Sequence, residues 1–145
     1  MEEIKKMYTD MFEVNGIGAE DLMKIENSLN VKLPLDFKEI ASFFNGGYIG
    51  GVECFEFLNS RDNTLNIIDE TKRLRKDISL PTRFVFLAEP SESVIFMDCD
   101  NMPRIIWCDS IEIENLQGGS FVTTPDEFDT YTEFFRFLLE EEKAF

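Results

Sequence analysis

Three stretches of the chain carry side chains at spacings that could do chemistry. Asp98-Cys99-Asp100-Asn101 opens like a calcium loop. Such a loop needs an oxygen ligand at its fifth position and glycine at its sixth. Met102 and Pro103 stand there instead, so the stretch reads as a turn between two strands. Asp126 with Glu141-x-Lys143 spells the acid-and-lysine signature of a metal-dependent nuclease. That chemistry needs the Glu-x-Lys pair on a strand beside the metal. Here the pair falls in the Glu140-Glu141-Glu142 run ending a helical pattern, which reads as an exposed charged face. Gly46-Gly47-x-x-Gly50-Gly51 has the glycines of a phosphate loop but lacks the Lys-Ser/Thr ending and follows a helix rather than a strand. Helix termination and a tight turn into the next strand account for it.

The chain has no histidine. This removes the usual general base, the commonest metal ligand and the Ser-His and Cys-His nucleophile pairs. Cys54, Cys99 and Cys108 are odd in number, form no CxxC pair and lie in strand-like apolar runs, as buried reduced thiols of a cytosolic protein do. No catalytic, cofactor or metal site is expected. What remains is a set of carboxylates on predicted strands and their links: Glu53 and Glu56, then Asp98 and Asp100, then Asp109, Glu112 and Glu114. Each alone is an ordinary solvated group. Together they could line one edge or face of a sheet and meet a basic partner. Trp107, between Ile106 and Cys108, is either a core ring or a partly exposed anchor of that contact.

Charge points the same way. The formal charge is −15, and it is uneven: residues 1–83 contribute −4 and residues 84–145 contribute −11. Such a surface repels nucleic acid and anionic membrane, and it attracts basic partners and speeds their encounter. Charges interrupt every apolar run well short of the roughly 20 residues of a membrane-spanning helix. The opening MEEIKKMYTD lacks the apolar core of a secretory signal, so a cytoplasmic location is expected.

The elements that must hold these side chains follow from periodicity. Residues 1–145, without repeat or low-complexity linker, are read as one domain. A chain of this length can bury roughly 68–70% of its unfolded surface without disulfides, and fifteen Phe residues supply much of the core. Ile4, Met7, Tyr8, Met11 and Phe12 mark a first amphipathic helix. Helices are expected over Ala19–Asn30 and Pro34–Phe44, a strand over Val52–Leu58 and a helix over Thr64–Ile78 capped by Asp62 or Asn63. Strands follow at Arg83–Ala88, Ser93–Asp98 and Arg104–Asp109, joined by links of hairpin length. A weaker strand is expected over Ile111–Asn115 and a loop over Gln117–Ser120. A final helix begins near Thr130, where Thr130-x-x-Glu133 has the form of a capping box. This is an α+β order, a mainly antiparallel sheet flanked by N-terminal, middle and C-terminal helices.

The stretch Ile25–Gly47 adds more. Leu33-Pro34-Leu35-Asp36-Phe37-Lys38-Glu39-Ile40 follows an amphipathic helix and precedes an Asn45-Gly46-Gly47 stop, and Thr130–Glu142 is rich in Phe and Leu. This pattern resembles the SUKH superfamily, the Smi/Knr type of bacterial immunity domain. The resemblance implies a central sheet with helices packed around it. It also implies an immunity protein that binds a cognate toxin, commonly a nuclease, and blocks it by stoichiometric occlusion without catalysis. A regulatory or scaffolding module is the alternative, since eukaryotic relatives act in cell-wall regulation. The motif marks a fold rather than an active site.

Overall fold

The computed structural model describes residues 1–59 and 64–145. Three short helices come first: α1 (Glu2–Thr9), α2 (Ala19–Leu29) and α3 (Leu35–Ala41). The hairpin strands β1 (Gly47–Ile49) and β2 (Val52–Cys54) follow, then α4 (Ile67–Ile78). The remaining elements are β3 (Phe84–Ala88), β4 (Ser93–Asp98), β5 (Ile105–Asp109), a 3-10 helix (Ser110–Leu116), β6 (Asp126–Phe128) and α5 (Tyr131–Ala144). Among the described residues the sheet is a six-stranded antiparallel meander in the order β1-β2-β3-β4-β5-β6. Helices lie on both of its sides, so the fold is α+β as the sequence predicts.

The family-like motif is spent on internal bonds. Leu33 N–H donates to the Glu26 carboxylate at 2.8 Å, and Lys38 pairs with that same carboxylate at 3.1 Å, so both ends of the α2–α3 junction are tied to one residue of α2. Asp36 Oδ2 reaches across to α5, accepting from Thr132 N–H at 2.9 Å and Thr132 Oγ1–H at 2.8 Å. Phe37 packs edge-on to Tyr131 at 4.8 Å and against Phe57 at 4.6 Å. Pro34 is the residue before the first helical one, and turn hydrogen bonds carry the coil from Ala41 to Phe44. Asn45 does more than stop a helix. Its side chain is buried, accepts from Phe57 and Leu58 N–H and donates to Leu58 C=O, holding the segment after β2. Gly46 has φ +78°, and a Cβ there would lie 2.4 Å from the Phe55 carbonyl oxygen. Only glycine fits.

Register fixes the two faces of the sheet. Phe84, Phe86, Phe96 and Ile106 share one face; Val85, Ile95, Met97, Ile105 and Trp107 share the other. The first face holds the Phe86–Phe96 ring stack at 4.9 Å. The second meets α5 through Phe128–Phe134 and Trp107–Phe137. Because β2 pairs with β3 only at Cys54–Ala88, the flank of β3 is open there. Helix α4 fills it, and Thr71 Oγ1 accepts the Phe86 N–H at 2.9 Å.

Several expectations need correction. The strand expected over Val52–Leu58 stops at Cys54, because the Glu56 backbone groups pair with Leu65 and Ile67 beside α4 and Asn45 takes those of Phe57 and Leu58. The helix expected from Thr64 starts at Ile67, capped by Asn66, whose side chain accepts from Asp69 N–H at 2.9 Å. The expected caps Asp62 and Asn63 lie outside the described residues. Ile111–Asn115 is part of the 3-10 helix, not a strand: Ile111 is 93% exposed while Glu112 and Leu116 are buried. Strands β1 and β6, each three residues long, complete the sheet at its two edges and were not expected. The final capping box is present in a displaced form. Thr130 Oγ1 accepts from Glu133 N–H at 3.0 Å, while the Glu133 carboxylate reaches back to Asp129 N–H at 3.2 Å.

Candidate partner-binding surface

The β1–β2 hairpin turns through Gly50-Gly51, both at positive φ, the backbone of a two-residue hairpin turn. The pairs Tyr48↔Glu53 and Cys54↔Ala88 carry Glu53 toward Glu89, which follows β3. Beyond β2, Glu56 bridges to Asn66: Glu56 N–H donates to Leu65 C=O and Ile67 N–H to Glu56 C=O. This brings the head of α4, with Glu70 in its first turn, against the hairpin. The result is a groove of about 480 Å³ lined by Tyr48, Glu53, Phe55, Glu56, Leu65, Glu70 and Glu89. No Lys or Arg is among its described lining residues. Glu70 is paired at 2.9 Å with Arg73, one turn along α4. Tyr48 is 67% and Leu65 58% exposed, so the groove has apolar walls beside its carboxylates.

The eight residues singled out from sequence do not form one row. Glu53, exposed, and Glu56, half-buried, share the groove. Asp109 is exposed at the end of β5, opposite Ser93. Asp98 and Asp100 lie at the other end of β4. Asp98 is buried, bound to Arg83 at 3.1 Å, and accepts from Asp100 N–H and Asn101 N–H. It is the staple of the β4–β5 turn rather than a surface charge. Asp100 is exposed beside a cleft lined also by Glu26, Lys32 and Arg83. Glu112 is also withdrawn from the surface. Its carboxylate accepts from Val122 N–H at 2.5 Å, Thr123 N–H at 3.1 Å and Asn115 Nδ2 at 3.3 Å. Those bonds, the Val122 one foremost, hold its carboxyl below the usual range. Glu114 is exposed on the 3-10 helix beside the end of α4. Trp107 is half-buried, with Nε1–H donating to Ser93 Oγ at 2.9 Å.

Residue type and spacing did not single out Tyr48, Leu65, Glu70 or Glu89. The available signals were a tyrosine between two glycine pairs and a glutamate in the first turn after a gap in pattern. The thiols offer no nucleophile. Burial pushes Cys54 and Cys99 up to about 12 and Cys108 up to about 11, so each is a neutral thiol at ordinary pH. Cys54 and Cys108 are buried within strands as expected; Cys99 is half-buried just past β4. Among the described residues, no three acidic or thiol side chains gather as metal ligands would. No described helix is long and apolar enough to cross a membrane.

No curated protein matches the chain. A family model does: SUKH_6, described as SMI1-KNR4 cell-wall, matches residues 19–131. The match runs from the first residue of α2 through the motif, the groove and the whole sheet to the first residue of α5. The chain therefore belongs to the SUKH_6 (SMI1-KNR4) family.

Proposed function

We propose that the protein is a non-catalytic immunity protein that binds a basic toxin domain and occludes it stoichiometrically. The toxin class that fits is a nuclease, which must present cations to a polyanion and so exposes a surface that carboxylates can occupy. Family membership supports a protein-binding role. The groove supports the choice of a basic partner: the exposed carboxylates Glu53 and Glu89 and two exposed apolar walls line it, and no described lining residue is a cation. Glu53 and Glu56 keep the role read from sequence, joined by Glu70 and Glu89. Asp100, Asp109 and Glu114 act as outlying charges beyond the groove, and Trp107 as the apolar anchor of a separate contact on the opposite face of the sheet. Rim charges act mainly on the rate of encounter. Direct contact with nucleic acid or membrane is disfavoured by the charge of −15.

Affinity capture from the native host tests this, with the wild-type chain and Glu53→Lys/Glu89→Lys as baits. A basic toxin domain retained by the first and lost by the second supports the reading. An association rate that ignores both the charge reversal and salt would remove its electrostatic basis. The family's cell-wall description favours a second reading, a regulatory scaffold. Capture of a broad set of regulatory proteins, indifferent to the groove variant, would select it.

A further inference from the structure

The far corner of the sheet carries a second surface. Trp107 on β5 stands edge-to-face with Phe137 of α5, centroids 6.5 Å apart at 78°, and Phe128 of β6 lies 5.5 Å from Phe137. Phe137 is 36% exposed, on a helical strip shared with buried Phe134 and with the exposed Glu133, Glu140 and Glu141. Across the sheet, Asp126 pairs directly with Trp107 and projects on its face, and Asp109 follows two residues on. Both aspartates are exposed. Among the described residues, the local cations are spoken for or turned away. Arg136 is bound to Glu3 at 2.7 Å, and Arg104 donates to the Asp98 carbonyl. Lys143 lies six residues from Phe137, roughly 120° around the helix.

An aromatic centre within a rim of carboxylates is the anatomy of a docking site, and its charge selects the occupant. We infer that the Trp107–Phe137 corner docks an arginine-bearing segment of a basic partner protein. A guanidinium is planar, stacks on aromatic faces and forks onto carboxylates, which a lysine ammonium does not do. The inference rests on the basic-partner reading and adds a contact separate from the groove. The register puts Tyr48 and Glu53 on the opposite face from Trp107, and the two sites are at opposite ends of the strand order.

Trp107 is the only tryptophan, so its fluorescence reports on the corner alone. The probe is a nona-arginine peptide titrated against the full chain, with nona-lysine as comparison. A saturable change in emission with nona-arginine, several-fold weaker with nona-lysine, is expected. Phe137→Ala/Asp126→Asn should weaken it about tenfold, the order expected of a cation over an aromatic face plus one rim pair. Asp126→Asn alone, which leaves packing untouched, should weaken it about two- to threefold. Glu53→Gln/Glu89→Gln should leave the response in place. Emission unmoved at saturation, or equal affinity in wild type and the corner variants, would overturn the inference and leave the groove reading standing. Loss of toxin capture by the corner variants alone would support the corner and overturn the groove's part.

Discussion

Asp36 offers the sharpest test of how the family motif works. Its carboxylate accepts two bonds from Thr132, at 2.9 and 2.8 Å, and Thr132 is the second residue of α5. Asp36→Ala removes both, orphans a backbone N–H in the first turn of a helix and takes a negative charge from that helix's positive end. A hydrogen bond to a charged group is worth about 1.5–3 kcal/mol net, at the low end for this half-buried site. The loss should therefore be about 3 kcal/mol, a large share of the 5–15 kcal/mol typical of a whole domain. For a chain of this length each kcal/mol shifts Tm by roughly 4 °C, so a fall of about 10 °C is expected. Asp36→Asn keeps an acceptor and loses the charge, and should cost about half as much. Thr132→Val removes only the hydroxyl bond, at about 1 kcal/mol, and should add less than that in the Asp36→Ala background. Urea unfolding with unchanged slope measures all four chains, and hydrogen exchange at the Thr132 amide reports the local loss. If Asp36→Ala costs under 1 kcal/mol, or if Asn and Ala cost the same, α5 is docked by ring packing alone and the charge argument fails.

Three further outcomes are expected. Gly46→Ala should destabilise more than Gly47→Ala, since both have positive φ, at about 1–3 kcal/mol for a strained backbone, but only at Gly46 would a Cβ strike a backbone oxygen; denaturant midpoints rank them. Glu112 is held below the ordinary carboxyl value of 4.5, so its contribution is full above that value and is lost as pH falls through the lowered one. Tm against pH should accordingly be flatter in acid for Glu112→Gln than for the wild type, and parallel curves would contradict the assignment. Thermal melts with and without EDTA should coincide, because the chain has no histidine and its described carboxylates and thiols do not converge; a loss of several degrees would reveal a metal.

The parts of the fold legible in sequence are those whose signals are local. Leu22, Ile25 and Leu29 announce α2 by spacing, and all three are buried. Ser93–Asp98 is read to the residue, because a β-rich run between turns has only one solution. Strand β1 was illegible for the opposite reason. Three residues flanked by glycines carry no period, and the strand exists because β2 and α5 hold it: Gly50 N–H donates to Glu142, and a Cβ on Gly50 would lie 2.5 Å from the Leu138 carbonyl oxygen. Ile111 and Ile113 imitate a strand's alternation, but the Glu112 side chain lies between them and turns inward to bind backbone ten residues away. The site suffered most from this. A carboxylate's letter does not say how it is used: Asp98 and Glu112 are committed to turns, while Glu53 and Asp109 are exposed.

A division of labour follows from where the bonds go. Glu26, Leu33, Asp36, Lys38, Asn45 and Gly46 are consumed by the junctions of α2, α3, α5 and the segment after β2. Altering any of them disturbs one of these internal junctions. Tyr48, Glu53, Leu65 and Glu89 sit instead on strand margins and loops, largely exposed, where substitution away from packing usually changes stability by less than about 0.5 kcal/mol. Partner recognition placed on such margins can be rewritten without cost to the frame. A scaffold whose identifying motif faces inward, and whose exposed carboxylates lie on its margins, is suited to meeting different partners with one fold. It is also why the motif that reveals the family says nothing of the partner, and why charge distribution must.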